Sequence, residues 1–216
     1  MMSRMAIADA LAWMVVPTAA VASGAGLLLP DLYRDAPYWV QQARGTDLAT
    51  LFLAVPVLGL GLRAAGRGSP LGRVASLGAL LYLVYNYAII AFSVAMNPLA
   101  ALYIAILGLT VWSVGLVLTA TDLGSLAGPV VERLPRRLTA AVLMTVALLF
   151  GLLWLGQIAE ATLSGGLPAD VERAGLPTNP VYALDLALFL PLAAVAGIGL
   201  VRRRAAAAAF AVPALI

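Results

Sequence analysis

The sequence predicts an all-α fold: a polytopic transmembrane helical bundle of six spans, followed by a short C-terminal apolar seventh segment. Three observations carry this reading. Of the 216 residues 63% are hydrophobic and 11% charged, with a mean hydropathy of +1.01, which leaves too few polar groups to cover a water-soluble globule. Apolar runs of roughly 20 residues recur along the whole chain, the length of a membrane helix rather than of a ~10-residue alternating barrel strand. The thirteen basic residues, all Arg, fall mostly into alternate connections. Residues 1–216 therefore read as one transmembrane domain.

Span 1 covers about residues 5–29 and is expected to bend at Pro17. Ala20-Val21-Ala22 imitates a signal-peptide cleavage site, but the apolar stretch is long enough to span, so a retained helix is expected. In the first connection Tyr33, Tyr38 and Trp39 suit interfacial anchors, and a short helical stretch is expected after Pro37. Span 2, about 46–62, opens at Thr46-Asp47 with Thr46 as N-cap and Pro56 inside, which puts Asp47 at or just below the headgroups.

Span 3, about 74–96, is the most polar helix. Tyr82, Asn86, Ser93 and Asn97 follow one another by 4, 7 and 4 residues, one stripe of a helix. A two-residue turn, Asn97-Pro98, leads into span 4, about 99–120, so the two are expected to be antiparallel neighbours. Span 5, about 138–160, carries Trp154, Gln157 and Glu160 on one face near its end. In the long loop that follows, Pro168 to Arg173 fit one or two helical turns. Span 6, about 180–201, is stopped by Arg202-Arg203-Arg204. The apolar tail 205–216 reaches only ~18 Å against a hydrocarbon core of ~30 Å, so it is a half-span or an uncompleted seventh helix.

Arg4 and the second, fourth and sixth connections hold ten of the thirteen Arg, and the other three connections hold three. By the positive-inside rule the amino terminus is cytoplasmic. Asp31, Asp35, Asp47, Glu160, Asp170, Glu172 and Asp185 then make the outer side acidic. The pI near 9.6 reflects this topology signal and not nucleic-acid binding.

Some chemistry is excluded by composition. Without Cys or His the usual zinc, copper, iron–sulfur and His-ligated haem sites are ruled out, as are thiol and Ser/His nucleophiles. Without Lys there is no Schiff base. No cofactor and no catalytic residue is expected. Carboxylates, Tyr hydroxyls, amides and Arg must carry any function.

The candidate site starts from Asp185, which sits inside span 6. A carboxylate within a membrane helix costs a few kcal/mol, faces the protein interior or a wet cavity, and has a partner. Asp47, Asn86, Tyr103, Gln157, Glu160 and Tyr182 all fall in the outer half of their spans, and Tyr82 lies one turn below Asn86 on its stripe. A pocket open to the outer side is one reading of that convergence. The other is that these groups hold helices together by hydrogen bonds, helped by small residues such as Gly108, Gly115 and Gly197. Pro191 also removes the helical donor for the carbonyl of Ala187.

Two internal matches suggest a repeated unit. Asn97-Pro98 and the residues after it match Asn179-Pro180 and theirs at five of nine positions, and Asp47 to Leu53 resembles Asp185 to Leu190 if one residue is skipped.

Three functional readings follow. In the first, the chain binds or transports a small polar or cationic solute through an outward pocket, with Asp185 as main ligand and Glu160 and Asp47 supporting. In the second, it is a non-catalytic accessory or scaffold subunit of a membrane complex that holds lipid, quinone or pigment. In the third, paired acids make it an intramembrane hydrolase or transferase. A dry Asp185 bonded to Tyr or amide groups favours the second. The expected partners are the lipid bilayer, a small polar or cationic ligand, and a second copy or a larger membrane complex, with no nucleic acid.

Gly45-Thr46-Asp47, the Tyr82-x-x-Tyr85-Asn86-Tyr87-Ala88 segment, Asn97-Pro98, and Leu176-Pro177-Thr178-Asn179-Pro180 with Asp185 together resemble a group of uncharacterised multi-pass membrane proteins of bacteria and archaea. The likeness covers most of the chain. It implies a multi-pass protein of the cytoplasmic (inner) membrane and the position of the site, and brings no activity with it.

Overall fold

The computed structural model describes residues 2–122, 124, 126 and 135–202; the expected segment 205–216, with Glu132, Arg133, Arg203 and Arg204, lies outside them. Every element among the described residues is helical. They are α1 (Arg4–Leu28), α2 (Pro37–Gly66), α3 (Pro70–Ser93), α4 (Ala100–Ala120), α5 (Arg136–Ser164), α6 (Ala169–Ala174) and α7 (Pro180–Val201). All but the short α6 are long and apolar enough to cross a membrane, which makes six candidate spans in a multi-pass chain.

Local chemistry explains the starts and stops. Ser3 Oγ accepts from the Ala6 N–H at the head of α1, and Ser69 Oγ from the Gly72 N–H at the head of α3. Pro37, Pro70 and Pro180 sit at first-turn positions, where a missing N–H costs nothing. Gly165 ends α5 and Gly175 ends α6, at φ of 70° and 68°, a left-handed turn that side chains with a Cβ resist.

The core belongs to α1 through α4. Small residues of α1 (Ala8, Ala12, Ala19, Ala22) follow a helical period and let α4 and α2 approach, and Val15, Leu58, Leu80, Leu83 and Ile106 fill the interior. At the end of the bundle where α1 begins, Arg73 of α3 forms a salt bridge with Asp9 of α1. The α2–α3 crossing is closest at Gly61 and Gly72. A Cβ on Gly72 would lie 2.5 Å from the Ala64 Cβ and 2.8 Å from the Ala65 nitrogen, the latter a backbone atom with no freedom to yield. Gly72→Ala is therefore expected to destabilise by about 1–3 kcal/mol, read as a lower melting temperature in detergent, because two packed backbones must separate.

The remaining two spans, α5 and α7, pack along each other. Gly197 allows this, since a Cβ there would meet Met144 Cγ at 3.0 Å, whereas Gly108 and Gly115 have open space beside them and make no such contact. The pair joins the four-helix core at the end where α7 begins, through α3, and α6 rests against α2.

Two boundaries depart from the sequence reading. The stretch after Pro37 and span 2 are one helix of 30 residues, so Thr46 is no N-cap; its hydroxyl bonds the Ala43 carbonyl in mid-helix. The amphipathic break at Gly45-Thr46-Asp47 looked like a start because its polar residues are buried by neighbours that the sequence does not reveal. The α3–α4 turn is also longer than two residues, running from Val94 to Leu99. Asn97 thus leaves the α3 stripe, and its Oδ1 accepts from the Leu99 N–H at 2.9 Å. Asn179 makes the same bond to the Val181 N–H at 2.9 Å, so the two Asn-Pro matches share an actual turn.

Both α2 and α7 contain one widened, π-helical turn, Thr50–Ala54 and Asp185–Phe189, each with Pro second in the α-helix that follows. The cause is shared. A Pro ring in mid-helix clashes with the carbonyl four residues back, and one extra residue in that turn moves the carbonyl aside. The N–H groups of Val55 and Leu190 reach back five residues, to Thr50 and Asp185. In this register Asp185 corresponds to Thr50 and Tyr182 to Asp47, so the Asp-to-Asp match read from sequence is not a structural equivalence.

Candidate functional site: two buried carboxylates

Asp185 is 7% exposed, and both of its oxygens have donors. Tyr85 of α3 donates to Oδ1 at 2.8 Å and Trp154 Nε1 of α5 donates to Oδ2 at 2.8 Å. One side chain thus ties three helices. Phe189, a turn further along α7, packs on the Tyr85 ring at 6.3 Å between centroids. On the other side Trp154 stacks on Tyr182 at 4.7 Å.

The network continues toward α6. The Tyr182 hydroxyl lies 2.7 Å from Asp170 Oδ1 and 2.5 Å from the Gln157 amide oxygen, and Asn179 Nδ2 donates to Asp170 Oδ2 at 2.8 Å. A phenol has one proton, so Tyr182 donates to one of these acceptors at a time. Arg173 lies over the Tyr38 ring at 5.6 Å and fastens α6 to the start of α2.

Asp47 forms a separate cluster. It is 2% exposed and lies ten residues into α2, in mid-helix and not at a helix start. Tyr33, from the α1–α2 connection, donates to its Oδ2 at 2.6 Å. Gly26 of α1 makes the room: a Cβ there would fall 1.9 Å from that oxygen and 2.7 Å from the Tyr33 hydroxyl. Tyr33 is consequently no interfacial anchor but a buried ligand of the carboxylate. Burial first, and then its hydrogen bond to Asp47, push its phenol far above the ordinary tyrosine range.

The sign of this linkage is definite. Tyr33 in the unfolded chain ionises near pH ~10, while in the folded chain it stays neutral. Its contribution to stability is intact below that pH and is lost as the pH rises beyond it. An ultraviolet titration of phenolate in the folded protein is expected to give the same yield for Tyr33→Phe as for the unsubstituted chain up to pH ~11, since Tyr33 does not titrate there.

Tyr82 and Asn86 belong to neither carboxylate. Asn86 Nδ2 donates to Thr50 Oγ1 at 3.2 Å, Thr50 lies 3.3 Å from the Tyr82 hydroxyl, and Tyr82 donates to the Thr46 carbonyl at 3.4 Å. This relay bridges α2 and α3 at the widened turn with every proton placed. A small apolar cavity lies beside it, lined by Ala49, Leu53, Ala54, Val57, Ala79 and Tyr82, and neither Asp47 nor Asp185 borders it. Ser93, on the expected stripe, turns back to the Ile89 carbonyl of its own helix.

Of the eight candidate residues, then, Asp185, Gln157 and Tyr182 lie in one network, Asp47 is in a second cluster with the unbonded Tyr103 hydroxyl near it, and Tyr82 and Asn86 are in the relay between α2 and α3. Glu160 is exposed and joins none of them. The residues that complete the networks, Tyr33, Tyr85, Trp154 and Asp170, were not among the candidates. Trp154 had a signal, its i+3 spacing to Gln157. Tyr33 had none, because it comes from a loop. Among the described residues no three acidic, His or Cys side chains converge as a metal site would need. No protein-family model, curated protein or solved structure matches this chain.

Proposed function

We propose that this chain is a non-catalytic accessory subunit of a membrane assembly, its intramembrane polar groups serving to fasten helices. The observation that carries this reading is the occupancy of Asp185. Tyr85 and Trp154 fill its two oxygens from two other helices in a buried setting, which supports a clamp over an open ligand position. The least enclosed span, α5, supports the assembly half of the reading. It carries Leu138, Leu148, Leu152 and Leu155 exposed along its length, an outer surface suited to lipid or to another membrane helix. The Arg distribution supports a cytoplasmic amino terminus, with the Asp185 network in the outer half.

A photo-reactive residue at Leu152, 62% exposed on α5, tests the assembly directly in native membranes. A crosslinked adduct to a polypeptide of discrete mass is expected. Adducts to lipid alone, from that position and from Leu148 and Leu155, contradict the reading.

A further inference from the structure

The two buried carboxylates differ in one respect. Asp185 has a donor on each oxygen, whereas Asp47 accepts a single hydrogen bond, from the neutral Tyr33. Arg44 acts on Asp47 only through space and makes no salt bridge with it, its guanidinium donating to the Pro30 carbonyl at 3.1 Å instead. A carboxylate this deeply buried with no cation on it is costly, by several kcal/mol.

Around it stand polar atoms without partners. Ser23 Oγ, the Tyr87 and Tyr103 hydroxyls and Asn97 Nδ2 are buried and make no hydrogen bond, although their residues are only 1%, 1%, 3% and 7% exposed. These are neighbours. Ser23 lies beside both Asp47 and Tyr87, and Tyr103 lies beside Tyr33 and Asn97, with the Tyr87 and Tyr103 rings 6.2 Å apart. Each pair is close enough to interact, but none has the geometry of a hydrogen bond. Several buried oxygens without partners, grouped around one carboxylate, have the chemistry of ligands to a hard cation.

We infer that Asp47, Ser23, Tyr33, Tyr87 and Tyr103 bind a small monovalent alkali cation between α1, α2, α3 and α4. The oxygen donors are of the hard type such ions take. One negative charge matches one positive charge. A divalent ion, which draws several carboxylates, has no such set among the described residues. Asn97 Nδ2 is a donor and cannot ligate; it is placed to orient the Tyr103 oxygen toward the ion. The inference does not rest on the accessory-subunit reading, which concerns Asp185 and the surface of α5.

The test is a thermal melt of the purified full-length chain in detergent at constant ionic strength, with Na⁺ or K⁺ exchanged for N-methylglucamine. One of the two alkali ions is expected to raise the melting temperature saturably. Asp47→Asn is expected to abolish that rise. Ser23→Ala and Tyr103→Phe, milder changes that keep the fold if Asp47→Asn does not, should each shift half-saturation to about tenfold higher salt, roughly 1.4 kcal/mol of affinity. No ion-specific rise in the unsubstituted chain, which would leave the chamber to water or a proton, overturns the inference. So does a rise that survives unchanged in all three variants.

Discussion

Gly26→Val is expected to cost about 3–5 kcal/mol. Overpacking a tight interior accounts for about 1–3 kcal/mol of this, and displacing the Asp47 carboxylate from Tyr33 breaks a buried charged hydrogen bond of about 1.5–3 kcal/mol. The clash is relieved only by moving the Asp47 carboxylate off Tyr33, because the atom a Cβ would meet first, 1.9 Å away, is the oxygen that Tyr33 holds. The check is a denaturant or thermal melt in detergent beside Gly24→Val, where a Cβ would have open space, as the matched control. The control is expected to melt within about 1 kcal/mol of the unsubstituted chain.

Asp185→Leu is expected to cost about 2–4 kcal/mol and to act on one part of the molecule. It strands the Tyr85 hydroxyl and the Trp154 indole N–H, and each hydrogen bond between membrane helices is worth about 0.6–2 kcal/mol. The loss falls where α7 and α5 meet α3, and not in the core of α1 to α4. Protease or hydrogen-exchange protection should therefore drop in α5 to α7 first. Asp185→Asn should fall between. An amide keeps one acceptor oxygen, but its NH₂ would face one of two groups that are themselves donors.

How much of this was legible in the sequence depended on whether the information was local. Helix length and hydropathy are local, and they place all six spans and bound five of them within a few residues, because the runs between Arg-rich connections match the membrane thickness. Caps at Ser3, Ser69 and Asn179 are local as well. The α2 boundary was misplaced for a non-local reason. Thr46 and Asp47 look like a helix start only until Tyr33 and Gly26 from α1 and its connection are seen to bury them.

The site divides along the same line. That Asp185 lies inside and has partners follows from the cost of its charge in hydrocarbon. Which partners could not follow, since Tyr85 is 100 residues away and Trp154 is 31. Sharing a membrane level was taken as sharing a pocket. Depth is readable from position along a span, whereas rotation about the helix axis, which separates the Asp47 group from the Asp185 group, depends on packing. The widened turns belong to the legible part in retrospect. In both α2 and α7 a mid-span Pro follows the widened turn, although Pro17 sits in an unbroken α1, and the polar side chains Thr50 and Asp185 occupy the same position in each.

A double-mutant cycle on Tyr85 and Asp185 tests most directly whether the buried carboxylate is a clamp. Tyr85→Phe, Asp185→Leu and the double variant are compared with the unsubstituted chain by unfolding in mixed micelles, without any added solute. A clamp predicts a coupling energy of about 0.6–2 kcal/mol, so that once one partner is gone, removing the other costs correspondingly less. Additive effects with no coupling, together with a stability unchanged by Asp185→Leu, would contradict it and return Asp185 to the role of a ligand awaiting a solute.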